Sequence, residues 1–374
     1  MAGAGRRRAI FKTGGLNLEQ KIPAVSVIIP MYNAEKFIVP CLESLFAQTF
    51  RDFEIVVVDD CSTDKSCDIV ESYVQKFTGV GIGLRLLRSK KNFGNPGVPR
   101  NRGLNASRGK YVYFMDNDDL LLSHALDELY TFAENYSADV VCMHKYFEAA
   151  VEFKDFQLKN LKLKQTIIQG EPCEDPVLES SNLADRMSDF LRGKIFLMPW
   201  LQFLRRDFLI DNDVYFPQIL VSEDDFWIVK VICRAEKILC VPSALYVNRN
   251  NPSSLTREKK SVQHKIKYHM TPTIDGMKFM SEIFNETKFF QQNPNYWYAW
   301  INRIVGYGFS CILQPSLNLS PYEVYEIFRE QFAQETGEHA ELISYLCSLV
   351  NTQQKMLVMA NGRITELEKK LAER

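Results

Sequence analysis

The chain has 374 residues, 46% of them hydrophobic and 24% charged, with 18 Gly and 15 Pro. That is enough for a sizeable core and two to three domains of roughly 150 residues, and it excludes a collagen-like or wholly disordered chain. Lys+Arg 45 against Asp+Glu 46 leaves a formal net charge of -1, so electrostatics give no reason to expect nucleic acid as a partner. The cysteine count, 9, is odd. The cysteines are scattered, with no C-x-x-C pair and no short Cys/His cluster, which fits a reducing compartment and a cytoplasmic location.

Residues 1–23 are read as a basic, solvated leader. It lacks the apolar stretch of a secretory signal, and Arg6 to Arg8 beside Ile10 and Phe11 offer at most a peripheral membrane contact. No later stretch supplies the roughly 18 uncharged apolar residues of a membrane span.

From Val25 onward, short β-branched runs alternate with amphipathic segments, the pattern of βαβ units on a mostly parallel sheet. The expected strands are Val25 to Pro30, Phe53 to Val58, Leu84 to Leu87, Tyr111 to Met115 and Asp139 to Met143. Between them, helices are expected from about Ala34 to Gln48, from Ser62 to Phe77 with Ser62 as N-cap, and from Ser123 to Asn135 capped by Ser123. The stretch GVGIG at 79–83 precedes a strand and lacks the spacing of a dinucleotide fingerprint. NFGNPGVPRNRG is read as a loop stiffened by Pro96 and Pro99.

Residues 149–182 are polar and mixed, and read as an irregular excursion or small hairpin. The segment SEDDFWIVKVIC (222–233) opens with Ser-x-x-Asp, a near capping box, which places Glu223 to Asp225 in the first turn of a helix. Lys237 to Val241 is the last strand-like run. Beyond about Val262 the pattern is helical throughout. Leu342, Leu346, Leu349, Gln353, Met356 and Ala360 alternate four and three residues apart, and Ile364, Leu367 and Leu371 continue after a register skip. This coiled-coil-like seam either packs on its own subunit or makes a homo-oligomer; the sequence leaves both open. Neither His124 nor His144 has a metal-ligand neighbour at a recognised spacing, and His264, His269 and His339 read as surface residues.

The carboxylates are the most informative feature. Asp59-Asp60 follow the second strand, and Asp116-Asn117-Asp118-Asp119 follow the fourth, at the carboxyl ends where open α/β sheets place their ligand crevice. Two acidic clusters there repel unless something positive lies between them. The D-x-D spacing of Asp116 and Asp118 offers hard oxygen ligands to Mg²⁺ or Mn²⁺, with a diphosphate as the natural co-occupant. Asp64 is assigned only a structural role at a helix start.

The segments VSVIIPMYNAEKFIVPCLESLFAQTFRDFEIVVVDDCSTD (25–64), RNRGLNASRGKYVYFMDNDDLL (100–121) and SEDDFW (222–227) resemble, in that order, the family 2 glycosyltransferases of GT-A fold. The resemblance implies a catalytic α/β domain over 24–256, a mixed Rossmann-like sheet flanked by helices, followed by a helical domain over 257–338 and the terminal helix over 339–374. It implies an inverting transfer of sugar from a nucleotide sugar, a UDP-sugar, to a glycan, polymer or lipid-linked saccharide acceptor. By its motifs Pro30 and Tyr32 hold the base, Asp60 bonds the uracil edge, and Arg100 lines the nucleotide pocket. Asp116 contacts ribose and metal, Asp118 binds the Mn²⁺ or Mg²⁺ directly, and Asp119 supports them. Asp224 corresponds to the general base, with Glu223 as its rival, and Arg249 and Ser254 correspond to a loop that reaches the diphosphate. Its place at a helix start favours the ionised form of Asp224, so no strongly raised pKa is expected there. Trp200 matches an acceptor-side region but reads as core.

Two other functions compete with this one. A sugar nucleotidyltransferase needs a Gly-rich basic loop after its first strand, and PMYNAEKF (30–37) has no glycine. A non-catalytic nucleotide-binding scaffold of the same fold has no physical reason to keep the clustered carboxylates Asp60, Asp116, Asp118 and Asp224.

Overall fold

In chain order, the first half runs β1 (Val25–Met31), α1 (Ile38–Phe46), β2 (Phe53–Asp59), α2 (Ser66–Thr78), β3 (Gly83–Arg88), α3 (Gly97–Ala106), β4 (Tyr111–Phe114), β5 (Leu120–Leu121), α4 (Ala125–Tyr136) and β6 (Val140–Ala150). There follow β7 (Gln165–Ile168), β8 (Val177–Leu178), α5 (Leu183–Leu191), a 3₁₀ turn at Pro199–Leu201, β9 (Gln202–Arg205), α6 (Arg206–Asp211), α7 (Glu223–Arg234) and β10 (Ile238–Asn250). The remainder is helical: α8 (Val262–Glu286), α9 (Lys288–Gln292), α10 (Pro294–Ser316), α11 (Pro321–Phe332) and α12 (Ala340–Ala372). This is a computed structural model, and the residues it describes are 22–150, 152, 165–195, 198–220, 222–251, 261–332 and 340–372.

Among the described residues ten strands form one mixed sheet in the order β3-β2-β1-β4-β9-β6-β10-β5, with β7 beside β6 and β8 beside β10. β3, β2, β1 and β4 are parallel, and antiparallel β9 joins them to the parallel pair β6–β10. Alternation along each strand supplies both faces. Val25, Val27, Ile29, Ile55 and Val57 pack under α1, α2 and α4, whereas Ile28, Val56 and Val58 face the layer built from α3, α5 and α7. Met280, Ile283, Phe290 and Trp300 join that second layer from the helical region. α8, α10 and α11 also enclose a smaller core of their own, around Ile266, Phe309, Ile312, Val324 and Phe328.

Several local expectations are corrected. Ser62 does not cap α2. Its Oγ accepts from Asn33 N at 2.9 Å, tying the loop after β1 to the loop after β2. Asp64 instead accepts from Ser66 N at 3.0 Å at the helix start. Ser123 is likewise no cap, since its carbonyl accepts from Thr49 N at 2.7 Å and α4 begins only at Ala125. The 92–103 segment is not all loop, because α3 starts at Gly97. Pro99 fits in its first turn, where a missing N–H costs no helical hydrogen bond. In 149–182 the described residues carry β7 and β8. Ser222 sits at the start of α7 with φ 59°, a left-handed conformation that turns its hydroxyl away from the helix N–H groups, so the capping box does not form.

α3 lies close against β1 because Gly103 has no side chain. A Cβ there would come within 2.2 Å of Ile28 Cγ2, a fully buried atom in a strand held on both sides. Gly103→Ala is expected to lower stability by about 1–3 kcal/mol through overpacking, read by urea unfolding. An unchanged midpoint would contradict this account of the α3–β1 contact.

Candidate active site

The parallel strands end on one side of the sheet, and their following loops carry the acidic clusters. Asp60, 4% exposed, lies just past β2. Its N–H donates to Met31 O at 2.8 Å, and its Oδ2 accepts from Phe93 N at 2.9 Å and Gly94 N at 3.3 Å. Its other oxygen is buried without a hydrogen-bond partner, an acceptor aimed where a ligand N–H would satisfy it. Burial pushes the Asp60 pKa up, with the two backbone donors opposing. Tyr32, 47% exposed, flanks this loop, and the buried Pro30 gives its carbonyl to Asn117 Nδ2 at 2.9 Å. The base-side and acid-side loops are thereby joined.

Arg100, on α3, is buried and links three elements. Its Nη2 donates to Asp116 Oδ1 beyond β4 at 2.9 Å, and its Nη1 donates to Glu223 Oε1 at the start of α7 at 2.9 Å. The guanidinium carbon lies 5.3 Å from the Phe216 ring centroid, and that ring stacks on Trp227 at 4.4 Å. The neighbouring Asn101 clamps the same segment, donating to Phe216 O at 2.8 Å and accepting from Phe216 N at 2.9 Å. Gly97 lets the two helix starts meet, since a Cβ there would stand 2.9 Å from Glu223 Cγ. Burial disfavours the charge on Arg100, but Asp116, Glu223 and Asp224 outweigh it and raise its pKa.

Asp118 and Asp119 are held by the end of β10. Asp119 is fully enclosed and accepts from Tyr246 OH at 2.7 Å, Asn248 Nδ2 at 3.1 Å and Arg249 N at 2.7 Å. Asp118 Oδ2 accepts from Asn251 Nδ2 at 2.9 Å. Arg249 donates to the carbonyls of Asp118 and Phe37, so its side chain braces the loop between them. Burial and then the neighbouring Asp116 charge raise the pKa of Asp118; burial, Asp118 and Asp116 raise that of Asp119 further. Trp200 stacks on Tyr246 at 4.7 Å, behind this group.

At the start of α7, Glu223 is buried and engaged by Arg100, whereas Asp224 is half-buried and accepts from Asp225 N at 3.1 Å. Burial raises the Asp224 pKa, with Arg100 opposing. The helix-start N–H groups also oppose the rise. Ser254 lies outside the described residues.

These features meet a family comparison at the same motifs: the model of the family described as "Glycosyl transferase family 2" matches residues 26–192. Over residues 26–192 the chain is similar to glycosyl transferase family 2.

Over 227 residues the chain is 32% identical to the poly(ribitol-phosphate) β-N-acetylglucosaminyltransferase TarS of Staphylococcus aureus, covering 59% of this chain and 34% of TarS. It therefore spans about a third of that protein's length. A cholesterol galactosyltransferase of Borreliella burgdorferi is 28% identical over 313 residues, 82% of this chain and 80% of that protein. Among solved structures, S. aureus TarS 1–349 in complex with UDP-GlcNAc superposes with a TM-score of 0.53 at 23% identity, covering 88% of this chain and 91% of that chain. The fold is the GT-A fold, followed by a helical C-terminal region.

Among the motif residues, Arg100 joins the side chains of Asp116 and Glu223, while Arg249 meets Asp119 through its N–H and the carbonyl of Asp118 through its side chain. Asn101, Asn117, Tyr246, Asn248 and Asn251 escaped the sequence reading. Asn101 stands inside the R-N motif and Asn117 inside the acidic cluster, so adjacency was the available signal. Tyr246 and Asn248 belong to β10, and Asn251 directly follows it; no local pattern announces that strand's register.

Burial and the Asp224 charge, against the opposing pull of Arg100, push Glu223 from 4.5 up to about 8. A carboxyl that holds its proton more tightly when folded adds stability that is complete below about pH 4.5 and is lost as pH rises toward about 8. Glu223→Gln, neutral throughout, should therefore gain on the parent protein across that window in urea unfolding at stepped pH. Parallel stability curves would contradict the assignment.

Proposed function

We propose that the chain is an inverting glycosyltransferase that moves a sugar from a nucleotide sugar, a UDP-sugar, to a hydroxyl of a glycan, polymer or lipid-linked saccharide acceptor. The observation that carries this reading is the Arg100 bridge, which brings Asp116, at the end of a sheet strand, beside Glu223 and Asp224 at the start of α7. Donor-side and base-side carboxylates are thus held at one place.

Asp60 has one buried oxygen in need of a donor, which suits the N–H of a uracil edge, and the exposed Tyr32 ring offers a stacking face beside it. Asp118 and Asp116 are hard oxygen donors whose mutual repulsion a divalent cation relieves, so they fit Mn²⁺ or Mg²⁺. Such an ion, when bound, would offset charge on the leaving diphosphate. Arg249, through its contacts to Asp118 and Phe37 carbonyls, holds the ligand loop in place, and Ser254 is assigned to the same donor side.

Asp224 is the general base. Glu223 spends an oxygen on Arg100, while Asp224 is half-buried and open to solvent. A pKa raised by burial brings a carboxylate base nearer to working pH, which favours proton removal from the acceptor hydroxyl as that oxygen attacks the anomeric carbon. Arg100 acts as a positioning residue, fixing Asp116 and Glu223. The relatives' names differ in the acceptor, a ribitol-phosphate polymer for one and cholesterol for the other.

We read 24–256 as the catalytic domain, 257–338 as a helical domain and 339–374 as a terminal helix. The two later boundaries fall on residues outside those described. On α12 the inward positions are Ser344, Ser348, Asn351 and Lys355, whereas Leu346, Leu349, Met356, Ile364 and Leu367 are exposed. The four-three seam therefore faces away from its own subunit, which supports self-association through it. No described helix is long and apolar enough to cross a membrane.

Asp224→Asn should lower sugar transfer by about 10²–10⁴-fold while UDP binding with Mn²⁺ persists by calorimetry, and Asp118→Ala should weaken that binding itself. Undetectable binding of UDP with Mn²⁺ to the parent protein would overturn the donor reading, and unimpaired turnover by Asp224→Asn would move the base to Glu223. Truncation after Gly337 should lower the oligomeric state by light scattering; a monomer before and after would sink the seam proposal.

A further inference from the structure

Away from the donor site, at the opposite end of β10, two thiols, an imidazole and a carboxylate converge. Cys142 on β6 and Cys240 on β10 are direct partners across the parallel pair, and His144 stands two residues beyond Cys142 on the same face. All three are nine-tenths or more buried. Cys142 Sγ and Cys240 Sγ are 2.9 Å apart, and His144 Nε2 lies 3.4 Å from Cys240 Sγ and 3.9 Å from Cys142 Sγ. Glu179, just past β8, brings Oε1 to 2.9 Å from Cys240 Sγ. Its backbone N–H is fixed on Ile238 O at 2.8 Å.

The proton inventory is what makes this a ligand set. His144 Nδ1 is 2.5 Å from Glu171 O, and a backbone carbonyl can only accept, so Nδ1 carries a proton and the neutral imidazole turns the lone pair of Nε2 to the sulfurs. The ligand atoms of Cys142, His144 and Cys240 all lie within 4.8 Å of one another, with Glu179 on the Cys240 side. The hydrogen bond from the outer imidazole nitrogen to a carbonyl is also the arrangement that orients a metal-bound histidine. Around tetrahedral Zn²⁺, Zn–S of about 2.3 Å and Zn–N of about 2.0–2.1 Å imply S···S of about 3.8 Å and S···N of about 3.6 Å. The two His144 distances bracket the second value, and the thiols need to part by slightly under about 1 Å.

We propose that Cys142, His144 and Cys240 form a Zn²⁺ site, with Glu179, which already touches Cys240 Sγ, swinging in to close the fourth position. Binding releases both thiol protons to solvent, and with three buried ligands and a carboxylate to complete the tetrahedron the site is structural. It fastens β8 and the 169–179 segment to the starts of β6 and β10, the second of which carries Asn248, Arg249 and Asn251 at its other end. The sequence did not suggest this. Cys142 and His144 look like one more strand pair, and Cys240 is 98 positions from Cys142.

Full-length protein, purified without chelator and dialysed, should hold about one zinc per chain by mass spectrometry. After removal with a chelator, added Zn²⁺ should restore that content and raise the unfolding temperature. Co²⁺ in its place should give a thiolate charge-transfer band of two-thiolate intensity. Cys240→Ser and His144→Ala should lose most of the zinc, and Cys311→Ser, a control away from the cluster, should keep it. Should the variants fail to fold, the parent protein's metal content, its recovery after chelation and the Co²⁺ spectrum still decide. Zinc well below stoichiometric in parent protein from zinc-supplemented cells would overturn the proposal, as would a Cys142–Cys240 disulfide peptide in a non-reducing digest or an unfolding temperature indifferent to chelator and Zn²⁺.

Discussion

The site is organised by a buried guanidinium with too many carboxylates around it. Arg100 donates to Asp116 and Glu223 from opposite sides of its fork, with Asp224 next in line. A lone buried arginine would be costly, and so would two buried acids without a cation, so each makes the others tolerable. Because the three come from α3, the end of β4 and the start of α7, this contact fixes how the helix layer sits over the sheet edge. The ring of Phe216 beneath Arg100, itself stacked on Trp227, turns the arrangement into a rigid column rooted in the hydrophobic layer.

The acids are not fully neutralised by what surrounds them. Asp118 and Asp119 have raised pKa values from burial and from their acidic neighbours, despite Asn251, Tyr246 and the Arg249 N–H. Burial and mutual repulsion both work against ionisation there, and the divalent cation we propose would offset them. The division of labour follows from burial. Asp119, enclosed and taken by three donors, holds the loop to β10, which leaves Asp116 and Asp118, less buried, facing outward. The same logic separates Glu223, taken up by Arg100, from the half-buried Asp224, the base we propose.

What the sequence revealed and what it concealed divide along a physical line. The strands β1, β2 and β4 were legible because a buried strand writes its period directly in β-branched residues, and the acids directly after β2 and β4 marked the ends of those strands. Helix starts differ from the expectation where the chain is engaged elsewhere: the Ser62 hydroxyl accepts from Asn33 N, and the backbone carbonyl of Ser123 accepts from Thr49 N. No local rule could decide those competitions, because the partner lies in another loop. α3 was hidden by Pro96 and Pro99, which read as loop signals yet fit a first turn. The pairing of Cys142 with Cys240 depends on β6 and β10 being adjacent, a fact of topology alone.

α12 shows how a pattern can be read correctly while its direction stays undetermined. Its four-three repeat of apolar residues defines a stripe, and a stripe must be covered by something, but the repeat does not say by what. The side that meets α11 and α10 presents Ser344, Ser348 and Asn351, small or polar residues that permit close approach. Ser316 and Asn351 satisfy one another there at 3.0 Å, Ser348 Oγ donates to Pro321 O at 2.7 Å, and Lys355 Nζ donates to Leu319 O at 3.1 Å. Ile343 and Cys347 pack on the small core around Phe309 and Phe328, and these hydrogen bonds fasten the helix beside them. The remaining apolar positions, with Met356 64% exposed, lie on the other side of the helix, where the self-association we propose would cover them.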